Sequence, residues 1–152
     1  MEYQTSTLAM SVPKGAIAPP TPEQIASAIN SNGVTISWLA GDGSDRSYYR
    51  VLDESNKSYV LMQLSGEDAA SLNAGKYEWT IIQSLLAKTR IITPNLIKSC
   101  PEFNALIIED YGNTMLESVL KKQDGNIEKQ MPYFNQAFEI IDSMLKLSLI
   151  HI

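Results

Sequence analysis

Within the ten residues Gly41-Asp42-Gly43-Ser44-Asp45-Arg46-Ser47-Tyr48-Tyr49-Arg50 the chain places two glycines, two aspartates and two arginines beside an alternating apolar run. That combination suits anion binding. Gly41 and Gly43 let the backbone turn sharply and bring amide groups close to a negative charge, and Ser44 adds a hydroxyl donor. Arg46 and Arg50 carry forked guanidinium donors that match phosphate oxygens. The same residues also suit an ordinary polar hairpin turn, and both readings are open at this point. A carboxylate pair at Asp42 and Asp45 working as acid and base is a third reading, though both residues fall in one loop with nothing to raise either pKa.

The elements around this stretch decide where it can point. Val34, Ile36, Trp38 and Ala40 alternate with Thr35, Ser37 and Leu39, which predicts a half-buried strand before the turn. Tyr48 to Leu52 and Ser58 to Leu64 predict two more, joined by Asp53-Glu54-Ser55-Asn56-Lys57. Tyr48 and Tyr49 then face opposite sides, so one belongs to the core. Thr21-Pro22-Glu23-Gln24 reads as a capping box with proline at the first helical position, and Gly33 is the expected left-handed stop. A second helix is predicted from about Asn73 to Lys88, with Tyr77, Ile81 and Leu85 on one face beside Ile82 and Leu86. Leu96 to Ser99 and Ala105 to Ile108 predict the last two strands. Thr114 with Glu117 predicts another capping box over a short helix, and an amphipathic helix is expected from Pro132 through Phe134, Phe138, Ile141 and Met144.

The totals restrict the class. The chain has 152 residues, 12 basic and 17 acidic, for a net charge of −5, which lacks the basic excess of a nucleic-acid binder. Cys100 is the lone cysteine, no stretch has the apolar length of a membrane span, and the start lacks a basic and then apolar leader, so a cytoplasmic setting is expected.

The order helix, three strands, helix, two strands and polar connector, read with LAGDGSDRSYYRV at 39–51, YVLMQLSGED at 59–68 and IIEDYGN at 107–113, resembles the aminoglycoside-phosphotransferase superfamily of kinase-like enzymes. The nearest group is that of the bacterial anomeric N-acetylmuramate/N-acetylglucosamine kinases of cell-wall recycling.

Residues 1–20, with Pro13, Gly15, Pro19 and Pro20 and no sustained periodicity, read as a flexible leader. The resemblance implies an α+β fold: a kinase-like N-terminal lobe over 21–108 with a five-stranded antiparallel sheet and an inserted helix, a hinge over 109–113, and the first helices of a C-terminal lobe over 114–146. It implies ATP as cofactor and a small-molecule hydroxyl as acceptor, an amino sugar in this group. Gly41, Asp42, Gly43, Ser44, Arg46 and Arg50 then surround the phosphates. Val60, Met62, Glu109, Asp110 and Tyr111 surround the adenine.

The chain departs from the wider superfamily in having no lysine on the third strand, where Tyr59-Val60-Leu61-Met62-Gln63-Leu64 stands, and from the nearer group in having Gln63 where an acid is expected. Arg46 or Arg50 is the expected substitute for the lysine, and Glu78 is expected to be a solvated helix residue. The catalytic acid and the Mg²⁺ ligands of the superfamily belong to later motifs that do not occur here, so no catalytic or metal-binding residue is assigned. Residues 147–152 read as an adapter-derived tail on a truncated frame, which removes His151 from consideration. The competing reading is a non-catalytic nucleotide-binding or interaction module.

Overall fold

The computed structural model describes residues 12–41, 46–89 and 91–150. The first helix, α1 (Pro22–Ala28), has the expected cap: the Gln24 amide donates to Thr21 Oγ1 at 3.3 Å and the Thr21 amide to Gln24 Oε1 at 2.9 Å. It ends earlier than expected, at Asn30 (φ 56°) rather than Gly33. Asn30 and Ser31 return their amides to Ser27 and Ala26, which satisfies the last carbonyls through a Schellman pair.

Five strands form one antiparallel sheet: β1 (Val34–Gly41), β2 (Arg46–Asp53), β3 (Ser58–Leu64), β4 (Leu96–Cys100) and β5 (Ala105–Glu109), in the order β1-β2-β3-β5-β4. The short connections β1–β2 and β2–β3 make a meander, and β5 inserts between β3 and β4. A bulge between Trp38 and Ala40 breaks the expected alternation on β1. Ala40 is exposed as a result, whereas Val34, Ile36 and Trp38 keep the half-buried stripe.

Strand parity divides the core in two. On one face Tyr49, Val51, Tyr59, Leu61, Ala105 and Ile107 pack with Ile25 of α1 and with Cys100, whose thiol is pushed up to about 11 by burial. Trp38 meets Tyr49 edge to face, with ring centroids 5.3 Å apart. Part of the expected leader also lies here: the Ile17 amide donates to Ser47 Oγ at 2.9 Å, and the Tyr49 hydroxyl donates to the Ile17 carbonyl. On the other face Met62, Leu64, Leu106 and Ile108 pack with Ala69, Leu72 and Tyr77.

The single helix expected over 73–88 is two helices, α2 (Gly66–Asn73) and α3 (Glu78–Leu86). Gly75 at φ 69° separates them, with Lys76 and Gly75 donating back to Ser71 and Leu72 as a second Schellman pair. The periodicity ran across this break because Tyr77 is apolar and buried, yet it lies ahead of α3. Ile81, Ile82 and Leu85 of α3 are exposed.

The chain divides into two units, Met1–Ile81 with Pro94–Asp110, and Ile82–Thr93 with Tyr111–Ile152. The second contains α4 (Leu116–Lys121) and α5 (Ile127–Ile150). Met115, not Thr114, is the N-cap of α4, and no side chain bonds there, so the expected capping box does not form. Helix α5 begins a turn before Pro132 because Asn126 caps it, accepting from the Lys129 amide through Oδ1 at 3.1 Å. Ile127, Met131, Phe134, Phe138, Ile141 and Leu145 follow one another at alternating spacings of four and three along α5 and are exposed. Among the described residues no helix is long and apolar enough to cross a membrane.

Candidate functional site

Antiparallel register sets which predicted residues meet. Arg46, Tyr48 and Arg50 occupy alternate positions of β2, so they share the face opposite Ser47, Tyr49 and Val51. Arg50 pairs with Val60 and Val60 with Ile108, while Tyr48 pairs with Met62 and Met62 with Leu106. Arg46, Arg50, Val60 and Met62 therefore share one sheet face, and Asp110 joins it through Arg50, which positions 46 and 110 in the sequence do not reveal; Glu109 pairs with Tyr59 and so belongs to the opposite face, apart from the residues it was expected to join.

The two arginines have different surroundings. Arg50 grips Asp110 with two bonds, Nε to Oδ2 at 2.6 Å and Nη2 to Oδ1 at 3.1 Å, and the Ser58 hydroxyl also donates to Oδ2. The Asp110 side chain is 4% exposed and that of Arg50 19%. A forked pair this far from water is geometrically exacting, and removing one partner strands a charge. Arg50 therefore fastens the end of β5 to β2 and β3.

Arg46 makes a looser pair, Nε to Asp68 Oδ2 at 2.7 Å, with side chains 35% and 27% exposed. Its bond to the Asp68 carboxylate raises its pKa further above the ordinary arginine value, so it is a permanent cation. The Tyr77 hydroxyl lies 3.4 Å from the same Asp68 oxygen and 3.7 Å from Met62 Sδ, and burial pushes it up to about 12. Arg46 is the first residue of β2, and Arg50 sits four positions further, about 13 Å away along an extended strand.

Gly41 ends β1 without a left-handed φ. Its missing side chain has a packing reason: a Cβ there would lie 2.9 Å from Cη2 of Trp38 and 3.2 Å from Cζ2. Asp42, Gly43 and Ser44 lie outside the described residues, as does Asp45. Met62 is 3% exposed beneath Tyr77, whereas Val60 is half-buried. Glu109 is engaged with Asn95, its amide donating to the Asn95 carbonyl at 2.9 Å and its Oε2 accepting from Asn95 Nδ2 at 2.7 Å. Tyr111 belongs to the second unit, where it opens the segment Tyr111–Ile152, and is exposed. Glu78 is exposed too.

Gln63 has a structural explanation. Its Nε2 donates to the Phe103 carbonyl at 2.8 Å and to the Asn104 carbonyl at 3.3 Å, pinning β3 to the turn before β5. An ionised carboxylate cannot donate, so an acid at this position could not make the contact at neutral pH. The other amide atom, Oε1, is buried with no hydrogen-bond partner among the described residues.

Sequence reasoning passed over Asp68, Ser58 and Tyr77. Asp68 stands in the quoted YVLMQLSGED block, and its position in the first turn of α2 was the available signal. Nothing local marks Ser58, which meets Asp110 only through the β3–β5 pairing.

A shallow cavity of about 390 Å³ lined by Asn32, Val34, Leu52, Asp53 and Glu54 lies at the opposite end of the β1–β2 pair from Gly41. Its acids are already engaged, Glu54 with Asn32 and Asp53 with Ser55, Lys57 and Tyr59. Among the described residues no group of three or more His, Cys, Asp or Glu side chains converges as a metal site. Asp68 and Asp110 point their oxygens at guanidinium and hydroxyl donors, a donor set that does not fit Mg²⁺. Comparison with family models, with curated proteins and with solved structures returned no match.

Proposed function

We propose that this chain is the nucleotide-binding part of an ATP-dependent phosphotransferase of the kinase-like type, whose acceptor is the hydroxyl of a small molecule, an amino sugar of cell-wall recycling. The observation that carries the reading is the placement of Arg46 at the start of β2, on the same sheet face as Arg50, Val60 and the β5 exit at Asp110. In this reading the permanently charged Arg46 supplies the cation that kinase-like enzymes take from a lysine on the third strand. Arg50 holds the connector at Asp110, and Val60 offers apolar surface to the base. Positioning and charge neutralisation are the two contributions a nucleotide lobe makes to phosphoryl transfer.

The test is titration of the purified chain with a fluorescent ATP analogue, followed by displacement with ATP. Saturable, ATP-displaceable binding that weakens about tenfold in Arg46→Gln, the scale of one charged hydrogen bond, is the expected result. Signal that ATP does not displace removes the nucleotide assignment.

A further inference from the structure

The two arginines differ in whether an incoming anion can recruit them. Asp110, 4% exposed, would be left buried without its cation if Arg50 turned away. Asp68, 27% exposed, retains water and the Tyr77 hydroxyl if Arg46 leaves. The Arg46 pair runs through Nε to a single carboxylate oxygen, a bond that a multiply charged phosphate can outcompete with the same guanidinium.

We propose that Asp68 is a displaceable counter-ion of Arg46, so that a polyphosphate ligand binds by exchanging places with a carboxylate and its affinity is held down by that competition. The proposal rests on the nucleotide reading only for the identity of the ligand, since the exchange requires phosphate charge and not a base. Asp68 is thereby a specificity-determining residue. It holds Arg46 against weakly charged anions and releases it to densely charged ones. The charge it neutralises between ligands also keeps a part-exposed cation from drawing adventitious anions.

Isothermal titration of the whole chain with inorganic tripolyphosphate, and separately with ATP, tests this in four proteins: the natural chain, Asp68→Asn, Arg46→Gln and the double variant, each checked for folding by circular dichroism. Asp68→Asn is expected to tighten binding about fivefold, the scale of a part-exposed ion pair, and the double variant to bind no more tightly than Arg46→Gln alone. Unchanged or weaker binding in Asp68→Asn overturns the proposal. So does an equal gain in the Arg46→Gln background, which would reflect only the loss of one negative charge. If tripolyphosphate follows the expected pattern while ATP does not bind, the exchange stands and the nucleotide reading falls. If neither binds any of the four proteins, both fall.

Discussion

Replacing Arg50 by methionine should be among the most damaging single changes in the first unit. The substitution keeps much of the aliphatic stem but removes both N–H donors, at 2.6 and 3.1 Å, from an Asp110 carboxylate that is 4% exposed. Breaking a buried pair on one side costs about 3–5 kcal/mol, because the remaining carboxylate stays out of water with its guanidinium donors gone. With a urea m-value near 2 kcal/mol/M, the unfolding midpoint should fall by roughly 2 M.

The same physics predicts a pH signature. A buried carboxylate without its cation has a raised pKa in the folded state, so the folded form takes up a proton as pH falls and the variant recovers stability toward mildly acidic pH. Arg46→Met provides the control, since its pair is about a third exposed, with side chains at 35% and 27%, and should cost no more than about 1 kcal/mol. Urea unfolding followed by far-ultraviolet circular dichroism at pH 7 and pH 5 measures both variants. If Arg50→Met costs no more than Arg46→Met, or if its deficit does not shrink at pH 5, the reasoning that separates a fastening arginine from a recruitable one is wrong.

Gly41→Ala should destabilise by about 1–2 kcal/mol, because the new methyl meets the Trp38 ring at 2.9 Å, and thermal unfolding should show most of the loss recovered in Gly41→Ala/Trp38→Phe. A full loss persisting in that pair would mean the glycine serves something other than packing. Gln63→Glu should cost about 3 kcal/mol at neutral pH by turning a carboxylate toward the Phe103 and Asn104 carbonyls, with the deficit shrinking as the acid protonates. Denaturant midpoints at pH 7 and pH 4.5 measure it, and a pH-independent deficit would contradict the assignment.

The strands were legible because period-2 alternation survives wherever one face of a sheet is more deeply buried, and β2 shows this most clearly, with Ser47, Tyr49 and Val51 fully buried and Arg46, Tyr48 and Arg50 half-buried. The Thr21 capping box was legible because both of its bonds are local. Helix ends fared worse. Asn30 and Asn126 took the terminal roles that glycine and proline were expected to fill, since asparagine tolerates left-handed backbone and caps as well. The candidate arginines were visible as residue types, but their roles depend on which carboxylate each meets. Asp68 is 22 positions from Arg46 and Asp110 is 60 from Arg50, and only strand register brings them together.

Ile17 is gripped at both of its main-chain polar groups, by side chains two apart on β2. Such a grip reads backbone and ignores what position 17 carries, so the anchor leaves no trace in the identity of the residue it holds; proline alone, having no amide hydrogen, is incompatible with it. Boundaries drawn at the first helix cap would discard this tether while leaving every recognisable motif in place.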